Sequence, residues 1–248
     1  MPLREDLVRQ GNWLFVRRSF LPLLAAPLFV VAISHFSYLL ASHKADLIWE
    51  ALCLVVSLFG LAIRAITTGY TPKRTSGRNT KKGQVADLLN TDGMYSLVRH
   101  PLYLGNFFVA LGPVMFLRAW WLVLAYVVAY WIYYERIMFA EEEFLREKFG
   151  DAYLEWAART PALLVDLRRW RAPLGQTFSW RTVLKREYQT VFVLILVCTG
   201  LEVVGDAVVE HKMVLDRVWV DALCAALVFF VIIRLVRKRT RLLDVPGR

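Results

Sequence analysis

Two short stretches of this 248-residue chain combine residue types able to hold a small charged ligand. One runs Gly93-Met94-Tyr95-Ser96-Leu97-Val98-Arg99-His100-Pro101-Leu102-Tyr103-Leu104-Gly105; the other runs Arg136-Ile137-Met138-Phe139-Ala140-Glu141-Glu142-Glu143. In the first, Pro101 fixes its own φ and suits the opening turn of a helix. Arg99 and His100 then stand at a helix N-terminus, where free backbone N–H groups favour an anion such as a carboxylate or phosphate. A plain interfacial cap explains that triplet equally well. In the second stretch, helical spacing puts Ile137, Glu141, Leu145 and Phe149 on one stripe, and Met138, Glu142, Leu145 and Phe149 on an adjoining one. Glu141 and Glu142 therefore face inward, while Glu143 and Glu147 face solvent. Inward carboxylates are costly without a cationic or hydrogen-bonding partner. The partner is either Arg99 or Arg136, or a cationic or polyol ligand.

Further cations and acids sit elsewhere. Arg64 lies near the end of an apolar run, so it either snorkels to the surface or serves a function inside the membrane. The segment Lys73-Arg74-Thr75-Ser76-Gly77-Arg78-Asn79-Thr80-Lys81-Lys82-Gly83 is cationic and rich in Gly and hydroxyls. It is either a basic membrane-side loop or a grip on an anionic headgroup, with Arg forks on phosphate. Glu202 and Asp206, one turn apart in another apolar run, face a polar interior or pair with an Arg; no role is assigned to them.

The elements that carry these residues are membrane helices. The chain is 57% hydrophobic, against roughly 45–50% for soluble domains, and 14% aromatic with nine Trp; its mean hydropathy is +0.43. A spanning helix needs ~20 apolar residues. Six candidates follow: about Phe20 to Ala41, Leu47 to Ile66, Leu102 to Phe116, Trp120 to Tyr134, Val191 to Val209 and Val218 to Val236. The third and fourth are short for full crossings. Glu135 to Ala158 is a separate polar helix, and Asp166 to Arg186 is a basic segment with Trp170 and Trp180, a mixture suited to the headgroup region.

With six spans, 26 Lys/Arg fall on the side of both termini and 4 on the other, with Arg64 in a span near the richer side. The positive-inside rule then places both termini and both polar stretches in the cytoplasm. The net charge of +10 is that of basic loops against an anionic membrane face, and no nucleic-acid partner is expected. Cys53, Cys198 and Cys224 each stand alone in apolar runs without CxxC spacing, so neither a metal site nor a disulfide framework is expected. Arg4, Arg9, Arg17 and Arg18 precede an apolar run too long for a signal peptide. There is no GxGxxG, P-loop, nucleophile elbow or HExxH, and no inverted repeat to support a transporter.

Tyr95…Arg99-His100-Pro101-x-Tyr103-x-Gly105, an apolar hairpin, then Glu141-Glu142-x-x-Leu145…Phe149-Gly150-x-x-Tyr153 resembles the isoprenylcysteine carboxyl methyltransferase and phospholipid methyltransferase superfamily. Residues 77–85 and 133–143 look most like its bacterial lipid A 1-phosphate methyltransferase branch. The resemblance covers about residues 85–161. Its closing Pro-rich signature is reduced to Thr160-Pro161, and beyond about residue 165 the chain has no counterpart in the smallest members. The resemblance implies an all-α integral membrane enzyme with about six transmembrane helices and a cytoplasmic site for S-adenosyl-L-methionine. Tyr95, Arg99, His100, Pro101, Tyr103, Gly105, Glu141 and Glu142 would hold the cofactor, His100 meeting its carboxylate and the two Glu its cationic or hydroxyl groups. The expected organisation is a two-span region with a basic loop (1–84), a methyltransferase core (85–165), and a basic interfacial segment with a two-span extension (166–248). Methyl transfer is expected to the phosphate of a membrane lipid, the 1-phosphate of lipid A, in a bacterial inner membrane. Arg64 and Arg136 are the catalytic candidates, and Arg74, Arg78 and Asn79 the substrate-binding ones. The alternatives are the carboxylate of a prenylated cysteine, the amine of phosphatidylethanolamine, or a lipid-binding scaffold without activity.

Overall fold

The computed structural model describes residues 2–17, 24–72, 75, 78–80, 83–173, 175, 177–213 and 216–247. Helices dominate: α1 (Leu3–Arg17), α2 (Ala26–Ser34), α3 (His43–Tyr70), α4 (Met94–Leu97), α5 (Pro101–Phe116), α6 (Trp120–Phe149), α7 (Asp151–Arg159), α8 (Trp180–Glu210) and α9 (Arg217–Arg239). Two short strands, β1 (Arg78–Thr80) and β2 (Gly83–Val85), form an antiparallel hairpin inside the basic connection, a departure from the expected all-α chain.

Among the described residues, four helices are long and apolar enough to cross a membrane, Lys44–Tyr70, Trp120–Phe149, Trp180–Glu210 and Arg217–Arg239, with Pro101–Phe116 a shorter apolar helix. The expected count of six is not reached. The first expected span, Phe20 to Ala41, contains a helix of only nine residues, opened by Pro27 in its first turn. It stops at Ser34-His35, where both side chains bond back to the Val31 carbonyl and compete with continuation. The fourth span is not short either. It continues without a break into the polar helix expected to be separate, giving α6 30 residues. That is about 45 Å of helix at ~1.5 Å per residue, more than the ~30 Å apolar slab, so its acidic end stands clear of the apolar zone.

Two close helix approaches set the frame. A Cβ on Gly60 of α3 would lie 2.5 Å from the Gly105 carbonyl oxygen of α5, so α3 and α5 run in backbone contact. A Cβ on Gly11 of α1 would lie 2.1 Å from the Arg136 carbonyl oxygen, which seats α1 flat on α6. Arg4 of α1 pairs with Glu143, whose side chain is only 11% exposed. Glu143, expected in solvent, is thus covered by the N-terminal helix. Lys185 pairs with Asp244, so the C-terminal segment sits at the end of the bundle where α8 begins.

The opposite end of the bundle carries a second polar cluster. Asp46, Glu50, Glu202 and Asp206 are all buried there. Arg118, in the α5–α6 turn, pairs with Asp46. The Tyr38 hydroxyl donates to Asp206 at 2.9 Å, and Trp219 Nε1 donates to Glu50 at 2.8 Å. Glu202 and Asp206 therefore do meet a polar interior.

Candidate active site

α5 begins at Pro101 with His100 as its N-cap residue. The loop before it is latched from behind: Arg99 N donates to the Pro161 carbonyl at 2.9 Å, Gly93 N to the Arg171 carbonyl at 2.9 Å, and Asp166 N to the Leu97 carbonyl at 3.3 Å. Thr160-Pro161 is thus the strut that fixes Arg99. These backbone bonds aim His100 at the inner flank of α6. Its Nε2 lies 2.8 Å from Glu142 Oε1, and its Nδ1 3.9 Å from Glu141 Oε2. Arg99 Nε approaches the same Glu142 oxygen at 3.3 Å. The Tyr103 hydroxyl, one turn into α5, donates to Glu141 Oε2 at 2.8 Å. His100 and Glu141 are buried, and Glu142 is half-buried. The stripe reading of α6 therefore holds, and Arg99 is one of the cations that meet the paired acids.

The Tyr153 hydroxyl and Arg99 Nε are buried at this cluster, and both face Glu142, Arg99 Nε in the ion pair at 3.3 Å. Tyr153, from α7, stands against Glu142; burial first, then the Glu142 charge, pushes its phenol well above the ordinary value, so it remains a donor. A cleft of ≈ 350 Å³ opens alongside, lined by Arg99, Glu142, Trp131, Met138 and Leu163 among others. That is within the range of small-ligand sites. Next to the acidic cluster, Tyr134 packs on Tyr103 and stacks on Tyr130 with centroids 4.2 Å apart. The Tyr130 hydroxyl donates to the Tyr103 carbonyl at 2.6 Å.

The other expected site residues are dispersed. Tyr95 is buried under α7, with its carbonyl accepting from Trp156 Nε1 at 3.1 Å. Burial, and next the charge of Glu141, raise its phenol pKa. Pro101 and Gly105 are buried on α5, Gly105 against Gly60 and Arg64, so its lack of a side chain serves helix packing. Arg64 does not reach the cluster; its Nε donates to Glu187 Oε2 at 2.9 Å, and its Nη1 to Asn106. Arg136 turns the other way, onto Gln10 at 3.0 Å and the Ile132 carbonyl at 2.9 Å, lining an apolar groove under α1. Arg74 lies outside the described residues, as do Lys73, Ser76, Gly77, Lys81 and Lys82 of the same basic stretch. Arg78 and Asn79 belong to β1.

Sequence reasoning quoted Tyr153 in the motif but gave it no role, and missed Glu187 as the partner of Arg64. The first was findable: Tyr153 and Trp156 share a face of a helix opened by Gly150. The second was not, since 123 residues separate the pair.

This geometry lies inside a region with known counterparts. Residues 48–152 match the phospholipid methyltransferase family. The protein-S-isoprenylcysteine O-methyltransferase of Schizosaccharomyces pombe is 37% identical over 75 residues, 30% of this chain and 32% of that protein. Protein-S-isoprenylcysteine O-methyltransferase B of Arabidopsis thaliana is 36% identical over 75 residues, 30% of this chain and 38% of that protein. The cobalt-zinc-cadmium resistance protein CzcN of Cupriavidus metallidurans is 28% identical over 136 residues, 54% of this chain and 60% of that protein. The chain thus spans about a third of the length of the two isoprenylcysteine methyltransferases. No solved structure matches it significantly.

Proposed function

We propose that this chain is an S-adenosyl-L-methionine-dependent membrane O-methyltransferase whose acceptor is a carboxylate on a lipid-anchored group, of the isoprenylcysteine class. The observation that carries the reading is the meeting of His100 and Tyr103 with Glu141 and Glu142 beside a cleft, inside the segment matching a methyltransferase family.

The donor set fits the cofactor. S-adenosyl-L-methionine presents a carboxylate, an ammonium, ribose hydroxyls and a sulfonium. The α5 N-terminus with Arg99 and His100 suits the carboxylate. Glu141 and Glu142 suit the ammonium and the hydroxyls, and the Tyr153 hydroxyl and Arg99 Nε, both facing Glu142, are two further donors that a ligand could take over. When bound, the cofactor supplies an electrophilic methyl group on positively charged sulfur. An anionic oxygen attacks such a carbon without a general base, so the protein's work is alignment and exclusion of water. The aromatic wall of Tyr103, Tyr130 and Tyr134 and the cleft residues Trp131 and Met138 keep that place dry.

A carboxylate acceptor is favoured because isoprenylcysteine stands in the names of the relatives above. The lipid A 1-phosphate acceptor, and the bacterial inner-membrane setting that goes with it, rest on a motif likeness alone. Its proposed arginines, Arg64 and Arg136, point away from the Glu pair. Placement of the site in the cytoplasm rests on the asymmetry of basic residues.

The experiment is transfer of a labelled methyl group by the purified chain in lipid nanodiscs, offered S-farnesylcysteine with a free carboxylate, phosphatidylethanolamine and lipid A in parallel. Base-labile label on the farnesylcysteine supports the reading. Label confined to the phosphate of lipid A or to the amine overturns the acceptor. No cofactor binding by calorimetry overturns the enzyme.

A further inference from the structure

A second cleft, of ≈ 490 Å³, lies along the face of α7 that carries Ala152, Glu155, Trp156 and Arg159. Its far wall is the strap Arg168-Arg169-Trp170-Arg171, and Thr91 and Thr160 add hydroxyls, while the Ser96 hydroxyl is used, donating to the Gly93 carbonyl at 2.7 Å. Four arginines thus line one cavity with a single lining carboxylate residue. Two of them are engaged: Arg159 with Glu155 at 3.4 Å, and Arg169 with Asp166 at 2.6 Å. Arg168 and Arg171 are different. The backbone of each is pinned, Arg168 N to Asp166 Oδ1 at 3.2 Å and Arg171 N to Ser96 Oγ at 2.9 Å. Among the described residues, no hydrogen bond or ion pair engages either guanidinium. Both residues are exposed at the cleft, and their backbones are fixed there.

The same strap exposes large apolar side chains. Leu164 is 84% exposed, Leu167 75% and Trp170 46%. A run of exposed Leu and Trp interleaved with Arg is the composition of chain lying in the headgroup layer. The strap ends nine residues before α8 begins at Trp180, so it is close in sequence to the membrane boundary. Hydroxyls with paired guanidinium forks are the donors that match phosphate oxygens.

We propose that this cleft binds the phosphate of an anionic phospholipid, with Arg168 and Arg171 as its ligands and Leu164, Leu167 and Trp170 seated in the leaflet beside it. The site is distinct from the His100 cluster and lies largely beyond the family-matched residues 48–152. Its consequence reaches that cluster through the strap, which holds Gly93, Ser96 and Leu97 by hydrogen bonds. A bound headgroup would fix the strap and with it the loop that aims His100.

The test uses the full chain in a nonionic detergent, titrated by calorimetry with short-chain phosphatidylglycerol, short-chain phosphatidylcholine and inorganic phosphate. Phosphatidylglycerol binds saturably, phosphatidylcholine does not, and Arg168→Gln with Arg171→Gln weakens binding about thirty-fold, since each basic residue contributes a factor of roughly five near an anionic headgroup. The pair Arg237→Gln and Arg239→Gln, in the C-terminal basic tail, leaves binding unchanged. Equal binding of the two lipids, or no loss in the Arg168/Arg171 variant, overturns the proposal. Inorganic phosphate binding as tightly as phosphatidylglycerol makes the site one for free phosphate and overturns the membrane assignment. A nitroxide at Leu167→Cys in nanodiscs gives a reading independent of any Arg variant. Greater accessibility to oxygen than to a water-soluble nickel chelate is the expected result, and the reverse refutes the proposal.

Discussion

Arg64 illustrates how structure and function can be separated in this chain. Its guanidinium contacts Glu187, Asn106 and Thr190, and the Glu187 side chain is 5% exposed. Removing the arginine alone strands a buried carboxylate, one of whose oxygens already lacks a partner. Breaking a buried pair in this way costs about 3–5 kcal/mol. A chain of this size loses about 2–4 °C of Tm per kcal/mol, so Arg64→Met should lower the melting temperature by roughly 6–20 °C. Replacing both partners, as Arg64→Met with Glu187→Leu, removes the stranded charge and should bring stability back to within about 1 kcal/mol. The assay is thermal unfolding in detergent followed by circular dichroism, with methyl transfer measured on the double variant. A stable double variant with full transfer makes Arg64 a structural residue; a stable one with transfer lost makes it a catalytic one. The reasoning fails if Arg64→Met leaves Tm unchanged, or if the double variant melts no higher than the single.

Other substitutions probe the frame and the site. Gly60→Ala places a Cβ 2.5 Å from the Gly105 carbonyl oxygen and the Val109 nitrogen, both backbone atoms, and should cost about 1–3 kcal/mol in a chemical-denaturation series. Tyr153→Phe removes a buried hydroxyl that faces Glu142 and Arg99, so stability should fall by about 1 kcal/mol in thermal unfolding, while cofactor affinity measured by calorimetry falls several-fold. Arg118→Ala leaves Asp46 and Glu202 without their cation and should destabilise by about 3–5 kcal/mol, read by the same thermal unfolding.

Much of the site was legible because it is local. Pro101 announces the start of α5, and three adjacent acids on an otherwise apolar helix announce which face turns inward. What was not legible depends on chain segments far apart in sequence. Glu143 reads as solvated because its partner, Arg4, is 139 residues away. Arg136 reads as a candidate for the acidic cluster, but α1 docks through Gly11 and claims it. The first expected span is not confirmed among the described residues, because hydropathy registers composition. It does not register the Ser34 and His35 side chains competing for the Val31 carbonyl. The fourth span and the polar helix were separated where hydropathy falls, although no Pro or Gly interrupts residues 120–149.

The cluster has a property that constrains which ligand it can take. His100 and Glu142 already satisfy one another at 2.8 Å. A simple cation entering beside Glu142 would have to displace His100 and leave it only the 3.9 Å approach to Glu141, and a simple anion at His100 would leave Glu142 with Arg99 as its remaining ion pair. A zwitterion does neither: its carboxylate takes the α5 N-terminus and His100, and its ammonium takes Glu142, exchanging one contact for two. The amino-acid end of S-adenosyl-L-methionine has this form. Decarboxylated S-adenosyl-L-methionine keeps the adenosine, the sulfonium and the ammonium but loses the anion. It should therefore bind at least tenfold more weakly, the loss of one charge-assisted hydrogen bond of about 1.5–3 kcal/mol. S-adenosylhomocysteine keeps both ends and should bind within about tenfold of the methyl donor. Calorimetry with the three compounds on one preparation decides it. Equal affinity for the decarboxylated compound would show that the carboxylate is not held at His100, and the assignment of the α5 N-terminus as its anchor would fall.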